Sequence, residues 1–275
     1  MTEVMDVLVD GLAFPESPRW HDGALWVSDW GAHEVLRVAP DGATEVVATV
    51  PSFPMCIDHL PDGRLLVVDS TGPRLLREEH DGSLVTHADL GRVSGTPWND
   101  IVVDGRGNAY VNNVGFDFPA GAYAPGIVAL VSTEGTVTQV ADDVAFPNGM
   151  AITARGELLV AESYGGRLTA FTIELDGSLS GRRVWADLGD AAPDGICVDA
   201  EGCAWYADVP HQRCVRVREG GEVVQTVELD RGAFACALSD TTLYVTTNDW
   251  RGPEHLAEGG RAGQVVAVPA PAPRA

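Results

Sequence analysis

The sequence contains no lysine: all 18 of its basic residues are arginine. That absence excludes Schiff-base chemistry on a lysine and the phosphate-binding lysine of a Walker A loop. The five cysteines, at 56, 197, 203, 214 and 236, form no CxxC pair, which argues against a zinc cluster. They read as reduced, mostly buried thiols of a cytoplasmic protein. No apolar run is long enough to span a membrane, and the opening MTEVMDVLVDGLAF has neither the basic segment nor the apolar core of a secretory signal. Positive charge is scarce: 18 basic residues face 40 acidic ones, a net of −22, which disfavours nucleic acid and anionic membranes as partners. Helical periodicity is nearly absent too, while Gly and Pro punctuate the chain about every ten residues.

What the chain does have is repetition. PESPRWHDGALWVSD, PMCIDHLPDGRLLVVD, WNDIVVDGRGNAYVNN, PNGMAITARGELLVAE, PDGICVDAEGCAWYAD and FACALSDTTLYVTTND each read as a short strand, a turn and a second strand. A second hairpin with a DG, EG or GG turn follows, as in HEVLRVAPDGATEVVATV and CVRVREGGEVVQTVEL. Four strands in each of six units predict an all-β fold, a six-bladed β-propeller forming one domain over residues 1–275. The C-terminal GQVVAVPA resembles a third strand without a fourth, and the N-terminal EVMDVLVDGLAFP resembles a fourth strand. The N-terminal strand is therefore expected to complete the last blade and close the ring, with residues 269–275 as a frayed tail. The GH…WD signature of WD40 arrays is missing, and an eight-stranded barrel does not explain a repeat of this length.

Matched positions of the units are Glu16, Met55, Asn99, Asn148, Asp194 and Ala235, spaced 39, 44, 49, 46 and 41 residues apart. The first strand of a blade lies nearest the axis, so these six positions are expected to converge there. Glu16, Asn99, Asn148 and Asp194 offer oxygen ligands. Two carboxylates converging at a partly desolvated axis repel, and a divalent cation removes the conflict. With no His or Cys at these positions, hard cations are favoured over zinc or copper, and Ca²⁺ comes first because it tolerates irregular oxygen shells. Mg²⁺, Mn²⁺ and Zn²⁺ remain open. Structurally, the same residues would simply cap the channel and hold water.

FPESPRW, WNDIVVDGRGNAYV, FPNGMAI and PDGICVDAEGCAWYA, in this order, resemble the SMP-30/gluconolactonase/luciferin-regenerating group of six-bladed propellers, related to diisopropylfluorophosphatase. The resemblance covers nearly the whole chain. It implies a metal at the axis held by Glu16, Asn148 and Asp194, with Asn99 a direct ligand in some branches and a substrate or water contact in others. It also implies Asp194 as the general base for water attack on a lactone or related ester. One departure matters: vertebrate-type sugar lactonases carry an Arg two residues before the third-blade Asn, and here Pro97 stands in that place. A less polar lactone or ester fits this better than gluconolactone.

Substrate choice is expected from the loops after each second strand, with 112–126 as candidate lid. Met55, Trp98, Phe116 and Tyr164, with Asn99 and His211, are the expected substrate contacts, and Phe118 and Trp30 would add to an apolar mouth. A serine triad has no evident base, because no GxSxG occurs and none of the seven His is axial. The reading is thus a metal-dependent lactonase or esterase taking a small molecule. An organophosphate hydrolase using the same site, and a non-catalytic binding propeller, are the alternatives, and oligomeric state is left open.

Overall fold

The computed structural model describes residues 5–53, 55–255 and 260–275. Among them, 24 strands build six four-stranded antiparallel sheets, and the only helices are two short 3-10 turns. Blade 1 is β2 (Pro15–His21), β3 (Ala24–Asp29), β4 (Glu34–Val38) and β5 (Thr44–Thr49); blade 2 is β6 (Ile57–His59), β7 (Leu65–Asp69), β8 (Arg74–Glu78) and β9 (Leu84–Asp89). Blade 3 is β10 (Trp98–Val103), β11 (Ala109–Asn113), β12 (Gly126–Val131) and β13 (Val137–Val144); blade 4 is β14 (Pro147–Ile152), β15 (Glu157–Glu162), β16 (Arg167–Ile173) and β17 (Leu179–Asp187). Blade 5 is β18 (Pro193–Val198), β19 (Ala204–Asp208), β20 (Arg213–Val217) and β21 (Val223–Glu228). Blade 6 is β22 (Gly232–Leu238), β23 (Thr242–Asn248), β24 (Gly263–Pro269) and, from the other end of the chain, β1 (Asp6–Leu12).

The expected closure is present. β1 pairs antiparallel with β24 through Val7↔Val266 and Val9↔Val265, so the last blade draws its outer strand from the N-terminal region. Each pair of neighbouring blades shares one apolar cluster, because inner and second strands are buried on both faces. Val9, Leu12, Leu25 and Val27 join blade 6 to blade 1, and Leu159, Ala161, Ile196 and Tyr206 join blade 4 to blade 5. The core is therefore divided into six wedges around an axis. No described helix is long and apolar enough to cross a membrane.

The tail differs from expectation. Ala270 N–H donates to Thr241 O at 2.9 Å, Ala275 N–H to Val198 O at 3.1 Å, and Ala272 is buried. Arg274 bridges to Asp199. Residues 270–275 are thus tied beneath blades 5 and 6 instead of fraying, because their backbone groups find partners there.

A clasp repeats at the upper rim. The last residue of every second strand is acidic or an amide, and all six are buried: Asp29, Asp69, Asn113, Glu162, Asp208 and Asn248. Asp29 accepts the N–H of Ala13 at 2.9 Å and of Phe14 at 2.6 Å, and Glu162 accepts that of Ala145 at 2.8 Å. These bonds pin the segments that lead into β2 and β14.

Candidate metal and catalytic site

Five inner strands carry a β-bulge at their upper ends: between Glu16 and Arg19, Trp98 and Ile101, Pro147 and Met150, Pro193 and Ile196, and Ala233 and Ala235. A bulge breaks the strict alternation of side chains and re-aims them. It also frees backbone groups, which side chains of neighbouring strands take up. Asn112 accepts Asp100 N–H at 3.1 Å and donates to Asn148 O, while Thr246 Oγ1 accepts Ala235 N–H at 3.0 Å. Ser17 adopts φ +49°, a left-handed conformation, and its Oγ accepts Ile57 N–H at 2.9 Å from blade 2. Held strain of this kind is common where a side chain must be aimed.

Glycine lets the bulges meet. A Cβ on Gly149 would lie 2.5 Å from Asp194 O, and one on Gly195 would collide with Ala235. Both glycines directly follow expected ligands, so Asn148 and Asp194 reach the axis on closely packed strands.

The four expected ligands form one electrostatic and hydrogen-bonded group. Asn99 Nδ2 donates to Asn148 Oδ1 at 3.0 Å, Asn148 Nδ2 donates to Ser163 Oγ at 3.3 Å, and the Asn148 amide partly offsets the rise in the Asp194 pKa. Burial, above all, raises the Glu16 carboxyl to about 8; the Ser17 N–H partly offsets this and Asp100 adds to it. Burial, then Glu16 and Asp100, push Asp194 well above the usual carboxylate range. The nearest cation does not answer them. Arg19 Nη2 donates to Asp100 Oδ1 and to Ile101 O, both at 2.8 Å, and Nε lies 3.9 Å from Asp58.

Asp100, Asp58 and Arg19 belong to the site, although the repeat alone does not single them out. Asp100 Oδ2 accepts Met150 N–H at 2.7 Å and Asp58 Oδ2 accepts Val103 N–H at 2.7 Å. Regular alternation would turn Asp100 away from the axis beside Asn99; the bulge in β10 brings it in. Four carboxylates then share one guanidinium, a deficit that a divalent cation reduces. Among the described residues no three His, Cys, Asp or Glu side chains form a metal cluster of their own. The donors are two carboxylates and two amides, an oxygen set that fits a hard, partly hydrated cation better than zinc.

The expected substrate contacts divide. Met55 and Trp98 are fully buried, Met55 in the wedge between blades 1 and 2 and Trp98 between blades 2 and 3, where Nε1 donates to Ser94 O at 3.2 Å. They are wall, not mouth, since the apolar wedges claim them first. His211 Nδ1 lies 3.0 Å from both Asp208 oxygens, at the blade 5 clasp. Phe116 and Tyr164 do sit together, in a cluster with Phe118, Tyr123 and Phe146; Tyr164 stacks on Phe146 at 4.7 Å. The candidate lid is thereby seated on blade 4. On the same rim, between blades 6 and 1, lies a cavity of about 620 Å³ lined by Phe14, Trp30, Phe53 and Trp250. Trp30, expected at an apolar mouth, lines this cavity; Phe14, Phe53 and Trp250 join it without a spacing of their own to mark them.

The SMP-30/gluconolactonase/LRE-like region profile matches residues 14–249. The chain belongs to this family. Pentonolactonase XacC of Haloferax volcanii is 29% identical over 207 residues, 66% of this chain and 69% of that protein. A gluconolactonase from Xanthomonas campestris superposes with a TM-score of 0.79 at 23% identity, covering 97% of this chain and 89% of that one. Regucalcin from Agrobacterium tumefaciens, a calcium-binding protein, gives 0.79 at 21% identity, with 97% and 93% covered. At these identities the two structures establish the shared fold.

Proposed function

We propose that this protein hydrolyses a lactone or related ester with one divalent cation, Ca²⁺ first, held by Glu16, Asn99, Asn148 and Asp194. The observation that carries the reading is the pair of carboxylates at the axis: burial, with Asp100 adding to it, raises Glu16, burial and then Glu16 raise Asp194, and Arg19 is paired with Asp100. When bound, the cation supplies polarisation of a carbonyl oxygen and a lowered pKa for coordinated water. Asp194, the less buried of the two acids, takes the proton of the attacking water at its carboxylate. Glu16, at 5% exposure, is sealed from that role and acts as a ligand. Asn99 and Asn148 orient each other, and Ser163 fixes Asn148. Phe116 and Tyr164 offer aromatic faces to the substrate, and the cavity between blades 6 and 1 receives an apolar substituent. Lactone hydrolysis is supported by family membership and by the pentonolactonase relative; Pro97 supports a less polar ring than a sugar lactone. A cytoplasmic setting is supported by five unpaired thiols.

The test is pH-stat hydrolysis of γ-, δ- and aryl-fused lactones by chelated protein, and by protein resupplied with Ca²⁺, Mg²⁺, Mn²⁺ or Zn²⁺. Activity is expected only with metal, and Asp194→Asn should lower kcat by roughly 10²–10⁴-fold, the usual worth of a general base. Full activity after chelation, or an unimpaired Asp194→Asn, would overturn the reading. Turnover of phosphotriesters but of no lactone would move the chemistry to phosphorus.

A further inference from the structure

Three of the five free thiols gather between blades 5 and 6: Cys197 on β18, Cys214 on β20 and Cys236 on β22. Cys197 Sγ lies 3.6 Å from Cys236 Sγ, and the Cys236 thiol faces the carbonyl oxygens of Gly195 and Trp205 at the same distance. Cys214 and Cys236 share the apolar cluster between the two blades. Cys197 and Cys236 line a second cavity, about 320 Å³, at the lower mouth of the axial channel, with Arg19 and Asp58 in its wall. Cys214 is fully buried and does not line it, while Cys197 is partly open. β18 and β22 belong to different sheets, so no ladder hydrogen bond resists a small approach of the two sulfurs.

We propose that Cys197 and Cys236 are a modification site, closing to an inter-blade disulfide when the protein meets hydrogen peroxide or an alkyl hydroperoxide. The Cys236 thiolate attacks the peroxide; the O–O bond breaks, the distal oxygen leaves as water or alcohol with a proton, and sulfur is oxidised to sulfenic acid. The Cys197 sulfur then displaces hydroxide from that sulfenic acid, forming S–S, and the thiol proton leaves with the hydroxide as water. Two electrons pass from the thiol pair to one peroxide. The sulfurs must close from 3.6 Å to about 2.0 Å. Asp194 lies three positions before Cys197 on the same strand, and Gly195 packs against Ala235 beside Cys236, so closure displaces the proposed base. That consequence rests on the lactonase reading; the disulfide does not.

The experiment treats metal-loaded, reduced protein with hydrogen peroxide, quenches it in acid, and measures intact mass, denatured thiol count and linked peptides. Cleavage after Glu201 separates Cys197 from Cys203. Loss of two hydrogens, a fall from five titratable thiols to three, and one linked peptide joining Cys197 to Cys236 are expected. Cys214→Ser should keep that linkage, and Cys197→Ser should stop at a sulfenic acid that dimedone traps on Cys236. Five thiols surviving the treatment, or a linkage of other cysteines or of two chains, would overturn the proposal. The wild-type peptide map decides this even if a variant fails to fold. Lactone turnover should fall at least about tenfold, towards the ~10²-fold that a 1 Å misplacement costs, and return with dithiothreitol. Linked protein with undiminished turnover would sink the coupling to Asp194, whereas absence of any lactone turnover leaves the mass result standing.

Discussion

At the scale of single residues, the axial acids make the metal-free protein sensitive to alkali. Glu16 has a folded pKa of about 8 against an unfolded value of 4.5, so the folded state holds the proton more tightly. Its contribution to stability is complete below pH 4.5 and is lost as pH rises through about 8. Chelated protein should therefore lose melting temperature steadily between pH 5 and 8.5 in scanning calorimetry, and Glu16→Gln should flatten that slope. Saturating Ca²⁺ should reverse it, since a bound cation favours the ionised form. His59 works in the opposite direction. Burial, then His21 and Arg19, lower it to about 3 from 6.5. The unfolded chain takes up a proton that the folded chain refuses, and stability falls as pH drops from 6.5 towards 3. Acid titration of His59→Gln should show a shallower loss. Arg19 is the sole guanidinium on Asp100, and Arg19→Met should cost about 3–5 kcal/mol in urea unfolding, the usual penalty for stranding a buried charge.

At the scale of elements, the bulge and the clasp decide what sequence reading can reach. The spacing of Glu16, Asn99, Asn148 and Asp194 identifies the axial positions because each repeats one place in a blade, and place in a blade is set by topology. Asp100 and Arg19 escape that logic because alternation assigns them to the other face, and only the bulges of β10 and β2 bring them to the axis. Met55 holds its place in the repeat and Trp98 stands beside Asn99, yet their burial depends on partners from other strands and blades, such as Val35 for Met55 and Cys56 and Val131 for Trp98, which spacing does not report. The clasp residues recur as D, D, N, E, D, N at the ends of the second strands, but that pattern does not report the bonds they make. Glu162 shows their worth: burial pushes its carboxyl up, and Arg167, Thr169 and the Ala145 N–H more than offset this, leaving it lowered. Glu162→Ala strands Arg167, whose Nη2 sits 2.9 Å from the carboxylate, and should cost about 2–4 kcal/mol, discounted because Arg167 is one-third exposed. Calorimetry on that variant checks it, and an unchanged melting temperature would remove the clasp from the account of stability.

At the scale of the whole molecule, stability is a ring property. Six wedges must close together, and the last closes only when β1 adds to β24. Deletion of residues 1–12 should leave β24 with an open edge, yielding aggregated protein by size-exclusion chromatography. The net charge of −22 opposes compaction everywhere, so sodium chloride between 10 and 300 mM should raise the melting temperature by screening. The closure also fixes a schedule. Val9 is synthesised about 250 residues before its partner Val265, some 13 to 50 seconds earlier at ordinary ribosomal speed. Throughout that interval β1 has no β24 to pair with, and one seam of the ring stays unsewn. The final seam joins two segments far apart in the chain, so the ring cannot close before β24 has been made.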